Sequence, residues 1–190
     1  MDFTSKLSSI FQLVNDWLKF SEAKNAIFLA FLGASITAIV TYLSAASISI
    51  ALSLRIGLLV SVVSLCISAL ICAVSFLPKT DLERLNWLRA KPSNKTWKAL
   101  KDNDNLLYFN DLKKYNPTEL LESVSRLYFE NKILPPYKKE DLDLANQIVI
   151  NSEIAAIKIK LFIAVVWTLI FSFLVIPASL LTSMLLYRKF

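Results

Sequence analysis

Residues 25–54, NAIFLAFLGASITAIVTYLSAASISIALSL, carry no charged side chain, and two further uncharged runs follow at residues 56–78 and 161–187. A helix needs about 20 apolar residues to cross the roughly 30 Å hydrocarbon core of a bilayer, so each run is long enough. The first run also contains a turn, which we expect between residues 44 and 54. The sequence therefore predicts three membrane spans, near residues 26–46, 56–77 and 161–186.

These spans predict an all-α membrane protein with a small, mainly helical cytoplasmic domain inserted between the second and third spans. The parts in chain order are an amphipathic N-terminal helix at 1–25, a two-helix hairpin at 26–77, the inserted domain at 78–160, and the third span with a short tail at 161–190.

The distribution of lysine and arginine predicts the orientation. Residues 79–160 contain 15 of the 21 basic residues, whereas the loop between the first two spans has only Arg55. Positive charge marks the cytoplasmic side, so the N-terminus and residues 78–160 are expected there. Because 12 acidic residues share this segment, the high pI of the chain is evidence for its orientation in the membrane and not for nucleic-acid binding. No nucleic acid polymer is therefore expected as a partner.

The composition makes several chemistries improbable. The chain has no histidine, and its two cysteines and two glycines all fall in apolar runs. A metal site, a bound cofactor and a glycine-rich phosphate loop are therefore not expected, and we expect no enzyme.

Helical patterns continue outside the spans. Apolar residues from Phe3 to Leu18 recur at helical spacing, which predicts an amphipathic helix at the membrane surface or packed on the cytoplasmic domain. Residues 13–32 contain neither proline nor glycine, so this helix is expected to continue into the first span. Asn116 and Pro117 mark a helix start, and from Lys139 a long helix is expected to run through the third span.

Two residue patterns each allow two interpretations. A polar row on the last helix is either solvated or forms a cluster with polar residues just before the first span; the residues are Gln147, Asn151 and Lys158 with Glu22, Lys24 and Asn25. Small residues line one face of each span, including Gly57, Ser61, Ser64 and Ser68 on the second and Ala26, Ala30, Gly33, Thr37 and Thr41 on the first. Such faces pack helices within one chain or join neighbouring copies; the second interpretation predicts a homo-oligomer.

Four segments resemble one family in order and in topology. WLKFSEAKNA at residues 17–26 is similar to the start of the Pycsar effector transmembrane family, and NLLYFNDL at 105–112 is similar to its cytoplasmic motif. NPTEL at 116–120 resembles the helix that follows that motif, and DLDL at 141–144, with the polar row after it, resembles the last cytoplasmic helix.

The resemblance implies an antiphage effector of the bacterial inner membrane. A partner pyrimidine cyclase would make cyclic CMP or cyclic UMP on infection, and binding of this activating ligand would impair the bilayer and kill the host cell. The residues assigned to the ligand are Asn105, Tyr108, Phe109 and Asp111, with Arg84, Lys91 or Lys113 for the phosphate. Those assigned to coupling are Glu22, Lys24, Asn25, Gln147, Asn151 and Lys158.

Other interpretations of the same residues stay open. Tyr108 and Phe109 either stack on the base or fill the core of the small domain. The whole chain is alternatively a ligand-independent pore or holin-like protein, or a membrane-anchored adaptor that docks a partner protein.

Overall fold

The computed structural model describes residues 2–45, 50–77 and 104–187, and every regular element among them is a helix. The helices are α1 (Phe3–Ala45), α2 (Leu52–Val74), α3 (Phe109–Leu112), α4 (Pro117–Phe129) and α5 (Lys139–Tyr187). Parts of α1, α2 and α5 are long and apolar enough to cross a membrane. The predicted continuity of α1 and of α5 is confirmed. Helices α1 and α2 extend into the segment 44–54 expected as a turn, because α1 ends at Ala45 and α2 begins at Leu52 and includes Arg55.

The chain divides into two compact units. The charged unit comprises residues 2–21 and 104–159, and the apolar unit comprises residues 22–45, 50–77 and 160–187.

The core of the charged unit is built on the apolar face of the amphipathic helix. Phe3, Leu7, Ile10 and Val14 of α1 are buried. Their partners come from the rest of the unit: Leu106, Leu112, Tyr115, Leu120, Leu121, Val124, Ala145 and Ile148. Burying a side chain of this size stabilises the fold by about 1.5–3 kcal/mol. The N-terminal segment thus adopts the second of its two expected positions, packed on the unit that contains α4.

Helix α4 starts where its sequence predicts. The side chain of Asn116 accepts a hydrogen bond from the Glu119 N–H at 2.8 Å, and the Glu119 carboxylate accepts from the Asn116 N–H at 3.2 Å. This reciprocal capping box satisfies two donors that a helix start leaves without partners. Pro117 occupies the first turn, and the helix ends at Glu130, whose φ of 54° is left-handed.

The apolar unit has a small core surrounded by exposed apolar side chains. Leu32, Leu65, Cys72, Val165 and Leu169 form the buried cluster. Large apolar residues of all three helices face outward, including Ile27 and Phe31 of α1, Val63 and Leu70 of α2, and Trp167 and Leu181 of α5. An apolar outer surface of this kind is typical of helices that contact the hydrocarbon chains of lipids.

The small-residue face of α2 packs within the chain. Ser61 donates to the carbonyl oxygen of Ser172 at 3.0 Å, and Ser64 donates to that of Thr168 at 3.2 Å. The hydroxyls of Ser68 and Thr168 lie 2.6 Å apart. These bonds support the interpretation of this face as packing within one chain, because its small side chains hold α2 against α5. A homo-oligomer stays a prediction. The stripe on α1 from Ala26 to Thr41 is exposed.

Candidate ligand-binding site

The predicted ligand residues Asn105 and Asp111 shape the turn before α3. The side-chain oxygen of Asn105 accepts from the Leu107 N–H at 2.9 Å, and the Asn105 N–H donates to Asp111 Oδ2 at 3.2 Å. These two bonds close the turn on itself, since each spans only a few residues. The turn in turn sets the directions of the two aromatic residues that follow, Tyr108 and Phe109.

A charged network supports the same turn from the other side. Lys114 Nζ lies 2.5 Å from Asp111 Oδ1 and 3.0 Å from Asp104 Oδ1, and the Tyr115 hydroxyl donates to Asp104 Oδ2 at 3.2 Å. Burial, aided by the Asp104 carboxylate, raises the pKa of Tyr115 to about 12. Burial also raises the pKa of Asp111, but hydrogen bonds from Lys114 and the Asn105 N–H, with the nearby lysine charges, outweigh it and lower that pKa overall.

Tyr108 and Phe109 have different environments. Phe109 is 4% exposed and packs on Ala155 and Ala156, with its ring centroid 5.5 Å from that of Trp17. Its position favours the core-packing interpretation. Tyr108 is 39% exposed and meets Trp17 edge-on at 6.4 Å. We call the partly exposed residues Trp17, Phe20 and Tyr108 the aromatic edge. Trp17 and Phe20 also line a shallow, mainly apolar depression of about 260 Å³.

A second surface of the charged unit is an open depression between the first part of α1 and the first part of α5, which we call the polar cleft after its charged and amide side chains. It has a volume of about 600 Å³, and its lining residues are Ser8, Phe11, Lys139, Glu140, Asp143, Leu144 and Gln147. Lys139, Asp143 and Gln147 recur every four residues, so they lie on one face of α5. The sequence shows this spacing, but it does not show that α1 and α5 meet, because more than 120 residues of chain separate Phe11 from Lys139.

Of the three basic residues predicted to bind the phosphate, the structure describes only Lys113. The Nζ of Lys113 donates to Asn110 Oδ1 at 2.5 Å. Arg84 and Lys91 lie outside the described residues. In the parts of the chain that the structure describes, no group of three His, Cys, Asp or Glu side chains is placed to hold a metal ion.

The predicted coupling residues are divided between the two units. In the charged unit, Asn151 Nδ2 donates to Asn15 Oδ1 at 2.8 Å, which joins α5 to α1, and Lys158 is only 5% exposed. In the apolar unit, Asn25 is buried and its backbone carbonyl accepts from the Cys72 thiol at 3.2 Å. Lys24 Nζ lies 5.4 Å from the ring centroid of Phe162. Gln147 is exposed, and the cluster that would join Glu22, Lys24 and Asn25 to the α5 row stays a prediction.

Three helices able to cross a bilayer, together with a separately packed charged unit, define a multi-pass membrane protein. The chain belongs to the PycTM family, the Pycsar effector protein domain, whose family model matches residues 6–185. This confirms the resemblance found in the four motifs and identifies a membrane effector of antiphage defence. No curated protein and no solved structure gives a match to the chain.

Proposed function

We propose that the charged unit binds cyclic CMP or cyclic UMP, made by a partner pyrimidine cyclase on infection, and that binding impairs the inner membrane and kills the host cell. Membership of the Pycsar effector family over residues 6–185 carries the proposal, since the match includes both units. The charged unit offers two surfaces for such a ligand, the aromatic edge and the polar cleft.

The continuity of two helices supports a route for the signal. Helix α1 includes residues of the charged unit and of the apolar unit without a break, and so does α5. A ligand shifts a two-state equilibrium only by its difference in affinity for the two states. We assign the transmission of that difference to polar residues of both helices: Glu22, Lys24 and Asn25, which follow the unit boundary on α1, and the row of Gln147, Asn151 and Lys158, which leads towards the boundary on α5.

The proposed location places the N-terminus and residues 78–160 in the cytoplasm, where a cyclase product accumulates. The 15 basic residues of the segment 79–160 support this orientation.

We further propose a homo-oligomer, because three spans of one short chain can hardly enclose a pore. The small-residue face of α2 is occupied within the chain, which leaves the exposed stripe on α1 from Ala26 to Thr41 as the face for a neighbouring copy. At its centre, a Cβ added to Gly33 would meet no atom of the described chain within 4 Å. Gly33→Leu should then shift detergent-solubilised particles towards the monomer.

Dye leakage from liposomes tests the proposed function directly. Purified protein in vesicles of bacterial lipid is expected to release dye only after cyclic CMP or cyclic UMP is added, with cyclic AMP as the control nucleotide. Leakage without nucleotide would instead indicate a ligand-independent pore, and no leakage under any condition would indicate an adaptor. Either result overturns the proposal.

A further inference from the structure

We infer that the aromatic edge of the charged unit lies in the headgroup layer of the bilayer, so that its partner is the lipid surface. The evidence comes from helix α1, which runs without a break from Phe3 to Ala45 and contributes residues to both units. The positions of its residues along the helix axis and around it follow from helix geometry. A lipid-facing surface on the apolar part of α1 can therefore be followed, residue by residue, towards the N-terminus.

One exposed face of α1 includes both the aromatic edge and the apolar span. The large side chains of this face are 47–69% exposed, and they are Phe20, Ile27, Phe31 and Tyr42. Counted from Phe20, the other three follow after 7, 11 and 22 residues, which are close to two, three and six turns of about 3.6 residues each. Ile27 and Phe31 fall within the first uncharged run, where an exposed apolar face meets lipid hydrocarbon. Phe20 continues this face onto the aromatic edge.

The spacing of the aromatic residues on α1 matches the thickness of a bilayer. Phe20 and Tyr42 are 22 residues apart, which is about 33 Å along the axis, close to the roughly 30 Å of the hydrocarbon core. Trp17 lies one turn before Phe20, with the two ring centroids 6.3 Å apart. Its distance from Tyr42 is about 38 Å along the axis, within the roughly 40–45 Å that includes both headgroup layers. Tryptophan and tyrosine are enriched in those layers, because each combines an apolar ring with a polar group. Tyr42 thus marks one headgroup layer and Trp17 the other.

The charges around the aromatic edge fit contact with lipid of any headgroup charge. Residues 13–25 contain two acidic and two basic side chains, so this segment of α1 carries no net charge. Asp16 and Lys19 form an exposed pair at 3.9 Å beside the shallow, mainly apolar depression of the edge. Lys24 lies one turn after Phe20, and its long stem lets the ammonium group reach the headgroups. Since attraction to anionic lipid needs an excess of positive charge, aromatic surface and not charge holds the edge at the membrane.

Fluorescence quenching in vesicles tests the depth of the aromatic edge with the full-length chain. Trp17 becomes the only tryptophan through Trp87→Phe, Trp97→Phe and Trp167→Phe. The vesicles consist of phosphatidylcholine that carries a quencher either on the headgroup or deep in the acyl chains. Because these two depths are about 15 Å apart in one leaflet, we expect the headgroup quencher to reduce Trp17 emission roughly twofold more than the deep quencher.

Trp167 is the matched control, kept as the only tryptophan in a chain with Trp17→Phe. It is 67% exposed and lies 7 residues, about 10 Å, beyond Lys160, the last charged residue before the third uncharged run. The deep quencher should therefore act more strongly on Trp167 than the headgroup quencher does. Tyr42→Trp, as the only tryptophan, should give the same order as Trp17. Anionic phosphatidylglycerol vesicles and high salt should change none of these orders, and a Trp17 order that appears only with anionic lipid would refute contact through an uncharged aromatic surface.

Hydroxyl-radical oxidation of the unaltered chain in nanodiscs, read by mass spectrometry, gives a second measurement that needs no substitution. Phe20 and Tyr128 of α4 are similarly exposed, by 49% and 42%. Relative to the same residue in the denatured chain, Phe20 should be oxidised less than Tyr128, because lipid covers it.

The outcomes separate lipid contact from the proposed function. Equal oxidation of Phe20 and Tyr128, or quenching of Trp17 by aqueous acrylamide and by neither lipid quencher, would place the aromatic edge in water. That result would overturn the inference and leave the proposed function in place, since a nucleotide could then reach the edge. A Trp17 order like that of Trp167 would place the edge in the hydrocarbon core and overturn the inference as well.

Discussion

At Gly57 the packing of α2 on α5 leaves no room for a side chain. A Cβ added there would lie closer than 3.0 Å to both Cβ and Oγ of Ser179, a separation that real Cβ atoms essentially never show. Because Ser179 Cβ is bonded directly to the backbone, it cannot move aside without moving α5. We therefore expect Gly57→Ala to force the two helices apart.

The cost of this separation follows from the contacts nearby. The bonds from Ser61 to the Ser172 carbonyl and from Ser64 to the Thr168 carbonyl lie one and two turns further along α2. Interhelical hydrogen bonds in membranes contribute about 0.6 kcal/mol each, so losing both costs about 1 kcal/mol. Overpacking adds about 1–3 kcal/mol. The total is about 2 kcal/mol or more, a roughly thirtyfold shift in the unfolding equilibrium.

Unfolding by SDS in dilute micelles, followed by circular dichroism, measures this loss within single chains. Gly33→Ala is the matched control, because its new Cβ meets nothing within 4 Å while the helix-propensity change is the same. The double variant Gly57→Ala with Ser179→Gly should recover much of the loss, since it removes the clashing atoms. Equal stability of Gly57→Ala and Gly33→Ala would refute the close approach of α2 and α5.

Three further predictions concern the charged unit. Phe109→Ala should reduce the free energy of unfolding by about 3–5 kcal/mol, whereas Tyr108→Ala, at a partly exposed position, should cost under about 1 kcal/mol in the same chemical denaturation. Asn116→Ala should cost about 1 kcal/mol through loss of the capping box, read as a lower Tm, and a Tm equal to wild type would contradict the cap. The Tm should also depend on pH at both extremes. Because folding lowers the pKa of Asp111, its carboxylate stabilises the fold above the usual pKa range of aspartate, and this stabilisation is lost as the pH falls below that range. Asp111→Asn should therefore reduce the fall in Tm at acidic pH. Because folding raises the pKa of Tyr115 to about 12, its neutral hydroxyl stabilises the fold below pH 10, and this stabilisation is lost between pH 10 and about 12.

The sequence predicted those features of the fold that depend on local signals. Uncharged runs indicate helices that can cross a bilayer wherever they occur, and the Asn116–Pro117 start is encoded within four residues. The face of α2 that carries Gly57 was also recognisable from its period. Its partner was not, because a helical period shows which residues share a face and says nothing about which helix covers it.

The candidate site was harder to predict for the same reason. Asn105 and Asp111 are polar residues in a short motif, and without coordinates a residue that closes a turn cannot be distinguished from one that contacts a ligand. The polar cleft depends on the contact between α1 and α5, which are far apart in sequence. Tyr108 and Phe109 differ in the exposed fraction of their side chains. That difference arises because Ala155 and Ala156 pack against the ring of Phe109.

The packing of the first helix has a consequence for how the protein is made. Thr4 Oγ1 donates to Asp141 Oδ1 at 2.8 Å across 137 residues, and the buried partners that the structure describes for Phe3, Leu7, Ile10 and Val14 lie at Leu106 or beyond. During synthesis, the apolar face from Phe3 to Val14 therefore emerges long before its partners exist. An amphipathic helix with an uncovered face binds the membrane surface. We therefore expect the nascent chain to hold its first helix on the lipid until the later helices arrive, so that completing the charged unit requires that helix to leave the membrane surface.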